Sequence, residues 1–146
     1  MPRHSEKRYL SHSQGNLYAL VADIEKYPEF LPWCKALNII SQNDNLIRAE
    51  MVIGFKFFQE KFTTEVCLTP NTRIDVKYLN GPFKYLQNHW SFEPNGEDGC
   101  EIDFFVDFEF RSPILQKMMG LVFSEALAKM ILAFENRANI VYKQRL

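Results

Sequence analysis

Between residues 46 and 57 apolar side chains occupy every odd position, Ile47, Ala49, Met51, Ile53, Phe55 and Phe57, while Arg48, Glu50 and Lys56 stand between them. A period of two marks a strand with one buried face. The alternation recurs with Phe62, Thr64, Val66 and Leu68 against Lys61, Thr63 and Glu65, and with Ile74, Val76 and Tyr78 against Arg73, Asp75 and Lys77. Residues 85–92 put Leu86, Asn88, Trp90 and Phe92 on one face. In the most regular segment Ile102, Phe104, Val106, Phe108 and Phe110 face in and Asp103, Asp107, Glu109 and Arg111 face out, with Phe105 the exception. Turns are predicted at 42–45, Pro70-Asn71, Asn80-Gly81-Pro82 and 95–99 from their Asn, Asp, Pro and Gly content. Residues 3–11 and 36–41 also read as extended.

The period lengthens in two places. Ser13 is placed to cap a helix carrying Leu17, Leu20, Val21 and Ile24, which ends near Tyr27-Pro28. Ser112-Pro113, a capping hydroxyl followed by proline at the first helical position, opens a helix running to about Tyr142. Its apolar stripe comprises Leu115, Met119, Val122, Phe123, Ala126, Met130, Phe134 and Val141. One short helix, six to seven antiparallel strands and one long terminal helix predict an α+β fold of the helix-grip type, a curved sheet wrapped around the last helix, in a single domain over residues 1–146. Such wrapping can leave a cavity between sheet and helix.

Composition narrows the function. Seventeen Lys+Arg against eighteen Asp+Glu give a net charge of −1, without the clustered basic excess of a DNA-binding protein. Cys34, Cys67 and Cys100 are odd in number and far from any CxxC, so neither a disulfide framework nor a zinc site is indicated. Thirteen Phe, six Tyr and two Trp amount to 14% aromatic residues while mean hydropathy is slightly negative, so the rings are expected on inward faces. No window approaches the ~20 apolar residues of a membrane span.

The stretch at 27–37, YPEFLPWCKAL, gathers large apolar side chains between two prolines. Pro28 and Pro32 each remove a donor and push the residue before them toward extended geometry, so a short turn is expected there. Taken with it, GPFKYLQNHW at 81–90 and DFEF before Arg111-Ser112-Pro113 resemble the coenzyme Q-binding START-domain family, a branch of the polyketide cyclase/START-like superfamily that also contains bacterial ribosome-association toxins. The likeness spans Tyr9 to about Ala138. Gly15 in the first turn of the first helix, and Glu65, depart from the pattern. The N-terminal MPRHSEKRYLS is not Arg- and Ser-rich as a mitochondrial leader would be, which suggests a bacterial protein or a trimmed chain.

The resemblance implies non-catalytic binding of ubiquinone or a related polyisoprenoid quinone in a hydrophobic cavity. The role would be that of a carrier or chaperone supporting respiratory electron transport and quinone synthesis. No cofactor or metal is expected besides ubiquinone as ligand. The expected location is the bacterial cytoplasm with peripheral contact to the inner membrane, or the matrix side of the mitochondrial inner membrane in a eukaryote. The alternative is a toxin that binds the large ribosomal subunit and blocks subunit association, for which Arg3, Lys7, Arg8, Arg137, Lys143 and Arg145 would supply local positive charge; ordinary solvated termini are the plainer reading of those residues.

Phe30, Leu31, Pro32 and Trp33 are the first candidate ligand-binding residues, an apolar mouth for an isoprenoid tail with the Trp33 indole at an interface. The plain alternative is a core plug. Gly81, Pro82 and Phe83 with Leu86, Asn88 and Trp90 are the second group. Asn88 stands on the apolar parity, so its amide must find a partner: a quinone carbonyl, the backbone or a buried water. Met118, Met119, Val122, Phe123, Met130 and Phe134 would form the helix wall opposite Phe62, Phe104 and Phe108; methionines at helical spacing are also ordinary core. His4, His12 and His89 are scattered, and a Cys34–His89 pair is the only nucleophile–base combination on offer, with no third group to orient it. His89 falls on the polar parity and should face water. No phosphate loop, HExxH or GxSxG string occurs. No catalytic residue is assigned.

Overall fold

The computed structural model describes residues 3–55, 58–96 and 99–142, with the side chains of Phe55 and Phe58 outside the description. Phe57, Lys143 and Arg145 therefore lie outside the described residues. Seven strands, β1 (Arg3–Leu10), β2 (Cys34–Asn43), β3 (Leu46–Phe55), β4 (Phe58–Thr69), β5 (Arg73–Asn80), β6 (Phe83–Pro94) and β7 (Cys100–Phe110), form one antiparallel sheet in the order β1-β7-β6-β5-β4-β3-β2. Its concave face is gripped around α3 (Pro113–Val141), so the helix-grip α+β architecture is as the pattern predicts.

Register follows from the alternation. Thr64 pairs with Tyr78, Val66 with Val76, Val76 with Asn88, and Asn88 with Val106, which aligns inward residues into rows across the sheet. Asp44 and Asn71 take positive φ (54° and 65°) in the two Asn/Asp turns. Gly81 (φ 150°) is demanded by space as well as backbone, since a Cβ there would lie 2.5 Å from Phe62 Cβ.

The helical connection differs from the sequence expectation. Helix α1 (Gln14–Ala22), capped by Ser13 Oγ on Asn16 N (3.1 Å), stops five residues before Tyr27. Asp23 leaves helical geometry (ψ 67°), a 3₁₀ turn covers Ile24–Lys26, and α2 (Tyr27–Phe30) follows. Pro28 thus begins a helical turn instead of ending one, because a first-turn residue needs no amide donor. Tyr27, expected to be extended before Pro28, is helical (φ −53°, ψ −43°). Its phenol donates to Val21 O and its ring stands edge-on to Phe134, contacts that outweigh the local preference. Leu31, before Pro32, is extended as expected (ψ 118°).

Helix α3 is capped by Ser112 Oγ, which accepts from Leu115 N (3.2 Å). Its stripe is mostly as read, with Met119, Val122, Met130, Phe134 and Ala138 buried. Val141 is a correction: it is exposed, while Ala138, one turn earlier, packs inward. Two apolar clusters form the interior. The larger joins α1, α2 and the C-terminal half of α3 to the sheet through Leu17, Val21, Ile24, Trp90, Phe92, Cys100, Phe134 and Ala138. The smaller gathers Phe62, Phe83, Phe108, Phe110, Met119 and Val122 around the N-terminal half of α3.

Candidate functional site

Between the concave face and α3 lies a partly open cavity of about 220 Å³, bordered by both clusters. The sheet contributes inward residues of β2 to β7, among them Leu37, Ala49, Met51, Phe62, Thr64, Val76, Phe83, Leu86, Asn88, Trp90, Phe104 and Phe108. From α3 come Met119, Phe123, Ala126, Leu127, Met130 and Phe134, and from the turn after α1 come Ile24, Tyr27, Leu31 and Trp33. Among the described residues the lining contains no Asp, Glu, Lys, Arg, His or Cys. No group of three or more potential metal ligands exists among them either.

Most of the expected ligand residues meet at this cavity, and six do not. Phe30 turns away to pack edge-on against Phe134 (5.2 Å) and Tyr27 (6.0 Å), with the Arg137 guanidinium over its ring at 5.1 Å. It fastens α2 to α3. Pro32 is exposed on the outside of the turn. Val122 is buried in the smaller cluster, one helical position off the cavity wall. Met118, Gly81 and Pro82 also stay off the lining. Of the YPEFLPWC stretch, Leu31 is buried and Trp33 half-buried. Both face the cavity, and Trp33 O accepts from Gly54 N (2.8 Å), tying the turn to β3.

Asn88 is half-buried and projects from β6 into the cavity. Its Nδ2 donates to Phe105 O (2.9 Å), so the backbone alternative holds for one donor. A carbonyl can only accept, which assigns the amide orientation without ambiguity. Its Oδ1 and second N–H are left for the cavity. Thr64, buried on β4, adds a hydroxyl to the lining and was legible only as one more inward position of an alternating strand. The Tyr27 phenol is spent on Val21 O; burial above all, with Cys34 and Asp23 nearby, raises its pKa far beyond the usual tyrosine range.

Nucleophilic chemistry finds no support in the placement of Cys34. It is packed in the larger cluster, where burial pushes the thiol up to about 11, the wrong direction for a nucleophile at neutral pH. His89 stacks on Phe105 (5.2 Å) on the convex face, half-buried rather than fully in water, and does not meet Cys34. His4 and His12 bond to Glu6 (2.9 Å) and Asn139 (2.8 Å). Several of the basic residues considered for RNA are engaged within the chain. Arg8 bonds to Glu6 (3.0 Å) and Glu135 (3.1 Å), and Arg137 to Glu29 (2.8 Å).

A curved sheet holding an apolar cavity under one long helix defines a START-like protein. Residues 10–135 match the model of a family described as polyketide cyclase / dehydrase and lipid transport, and the chain belongs to that family. It is similar to the ribosome association toxin RatA of Rickettsia prowazekii, 42% identical over 140 residues that cover 93% of this chain and 95% of the toxin. It is also similar to the mitochondrial coenzyme Q-binding protein COQ10 homolog B of Xenopus laevis, 32% identical over 143 residues, 95% of this chain and 59% of that protein. The solution structure of the 18 kDa protein CC1736 from Caulobacter crescentus superposes with a TM-score of 0.80 at 34% identity, covering 99% of this chain and all of CC1736. The ZhuI aromatase/cyclase from a Streptomyces species shares the fold (TM-score 0.85) at 12% identity, covering 97% and 96% of the two chains. The described helices include none long and apolar enough to cross a membrane.

Proposed function

We propose that the chain binds ubiquinone or a related polyisoprenoid quinone in the cavity without catalysing a reaction. As carrier or chaperone it then supports respiratory electron transport and quinone synthesis. The observation that carries this reading is the lining: about 220 Å³ of space walled mostly by apolar and aromatic side chains, with the Asn88 amide and the Thr64 hydroxyl among them and no Asp, Glu, Lys, Arg, His or Cys among the described residues. Each methylene moved from water into such a wall contributes about 0.8 kcal/mol, so a ring and a short length of tail reach useful affinity without a charged anchor. That amide and hydroxyl then orient the headgroup. Peripheral contact with the inner membrane is the natural setting for exchange of so apolar a ligand. The coenzyme Q-binding name of the Xenopus relative favours the same reading.

The test is mass spectrometry of an organic extract of gently purified protein, beside a folded Leu31→Ser, Trp33→Ala variant. A stoichiometric quinone in the wild type, lost in the variant, is expected. Wild-type protein that emerges empty from a quinone-producing host would sink the reading.

A second reading, association with the large ribosomal subunit as a toxin, is favoured by the name of the Rickettsia relative at 42% identity. Sedimentation separates the two. The toxin co-migrates with ribosomal subunits and depletes joined ribosomes when overproduced, whereas a quinone carrier does neither.

A further inference from the structure

Strand β1 breaks the apolar rule of the concave face. His4, Glu6 and Arg8 pair with the inward residues Val106, Phe104 and Ile102 of β7, so all three point to the helix side. Between this polar strand and α3 lies a groove of about 480 Å³. Its helix wall is Phe123, Leu127, Ala128, Ile131 and Leu132, and its strand wall is Arg3, His4, Glu6 and Arg8. Behind the groove a pocket of about 40 Å³ is bounded on one side by Glu6, Arg8, Ile131 and Glu135, which also line the groove. On its other side stand Trp90, Phe104, Met130 and Phe134, which also line the cavity. Phe123 and Leu127 face groove and cavity alike. On this side of the cavity a single layer of side chains therefore separates solvent from the ligand space, and Met130 is its pliable member. The only strap across the mouth among the described side chains is the Arg8–Glu135 pair (3.1 Å), exposed and correspondingly weak.

The cavity is too small for a long-chain ligand. A cavity of about 150 Å³ suits one benzene ring, so about 220 Å³ is filled by a ring and a unit or two of chain. The remainder of a longer chain must leave, and the groove offers an apolar wall one layer away with a polar strand facing water.

We propose that the groove between β1 and α3 is a lateral doorway to the cavity and the seat for the length of apolar chain that outgrows it. This rests on the preceding reading only in that the occupant carries a chain; the headgroup is immaterial to it.

The experiment is displacement of 1-aminoanthracene from the full chain by n-alkanols of six to fourteen carbons, in wild type, Leu132→Gln, and Ile131→Gln with Leu132→Gln. Leu132 is exposed, so the single variant keeps its fold. Each fully buried methylene raises affinity about fourfold. Wild-type affinity is expected to keep rising past the chain length that fills the cavity. In the variants the short alkanols bind as in wild type and the rise stops there, a loss of tenfold or more at fourteen carbons for the double variant. A wild-type series that levels off at short chains, parallel series in all three proteins, or no binding of 1-aminoanthracene would each overturn the doorway. The expected alkanol series with no displacement by ubiquinone homologues leaves the doorway standing and removes the quinone reading.

Discussion

The two clusters flanking the cavity are built from the same kinds of side chain and differ in how they are closed. The larger is sealed on three sides, by the sheet, by α1 and α2, and by the C-terminal half of α3; Phe92 and Cys100 are all but inaccessible there. The smaller has only the sheet and the N-terminal half of α3. It depends on rings standing against one another: Phe83 lies edge-on to Phe62, Tyr78 and Phe108 and stacks on Phe110 at 4.7 Å. Both clusters nonetheless border the cavity, Ile24, Tyr27 and Leu31 from the helical connection on one side and Phe62, Phe83 and Phe108 on the other, so the added helices close one end of the curved sheet without filling it.

The largest expected effect contrasts the two hubs. Phe92→Ala should cost about 4–5 kcal/mol in urea unfolding, whereas Phe83→Ala, already bordering empty space on one side, should cost about 3. Phe83→Ala should also alter the dissociation constant of a cavity ligand, and Phe92→Ala, which lies off the lining, should leave it unchanged in folded protein. Equal costs, or an affinity change in both, would break the distinction. Next is Gly81→Ala, expected to cost about 2 kcal/mol because the new methyl overlaps Phe62 at positive φ; a neutral result would show that the ring cluster can yield.

A pH experiment sharpens the contrast from the sealed side. The Cys34 thiol is raised by burial from an ordinary 9.0 to about 11, so the folded chain holds its proton where the unfolded chain releases it. The stability associated with that proton is intact below about pH 9 and is lost as pH rises through 11. Urea midpoints should fall across that window, and Cys34→Ala should flatten the fall there while leaving the later decline from Tyr27, whose phenol is likewise raised. An unchanged slope in the variant refutes the assignment. The smallest effect is expected at Arg137, which joins α2 to α3 through Glu29 and Phe30 but keeps a buried Nε without a partner. Arg137→Met should change stability by no more than about 1 kcal/mol, since the lost pair is offset by removal of that donor.

Asn88 shows how far a pattern can carry a site. Parity alone places it on the concave face, and its amide needed a partner; that the partner is Phe105 O on the neighbouring strand depends on the register of β6 against β7, which pairs Asn88 with Val106. Leu31 and Trp33 were legible as apolar residues with nowhere local to go. Phe30 was not separable from them, because one residue's rotation in a turn decides between cavity and helix, and the ring of Phe134 takes it.

By itself the sequence determined the strands, their inward faces, both helix caps and the family, since these rest on periods of two and 3.6 and on local capping chemistry that neighbouring residues carry. Tertiary structure alone decided that Val122 fills a cluster while Phe123 meets the cavity, that Val141 is exposed, and that Pro28 opens a helix. It also set the charged strand β1 opposite the apolar wall of α3. Each of these depends on where elements distant in the chain come to rest, and the volume left between them is a property of no single residue.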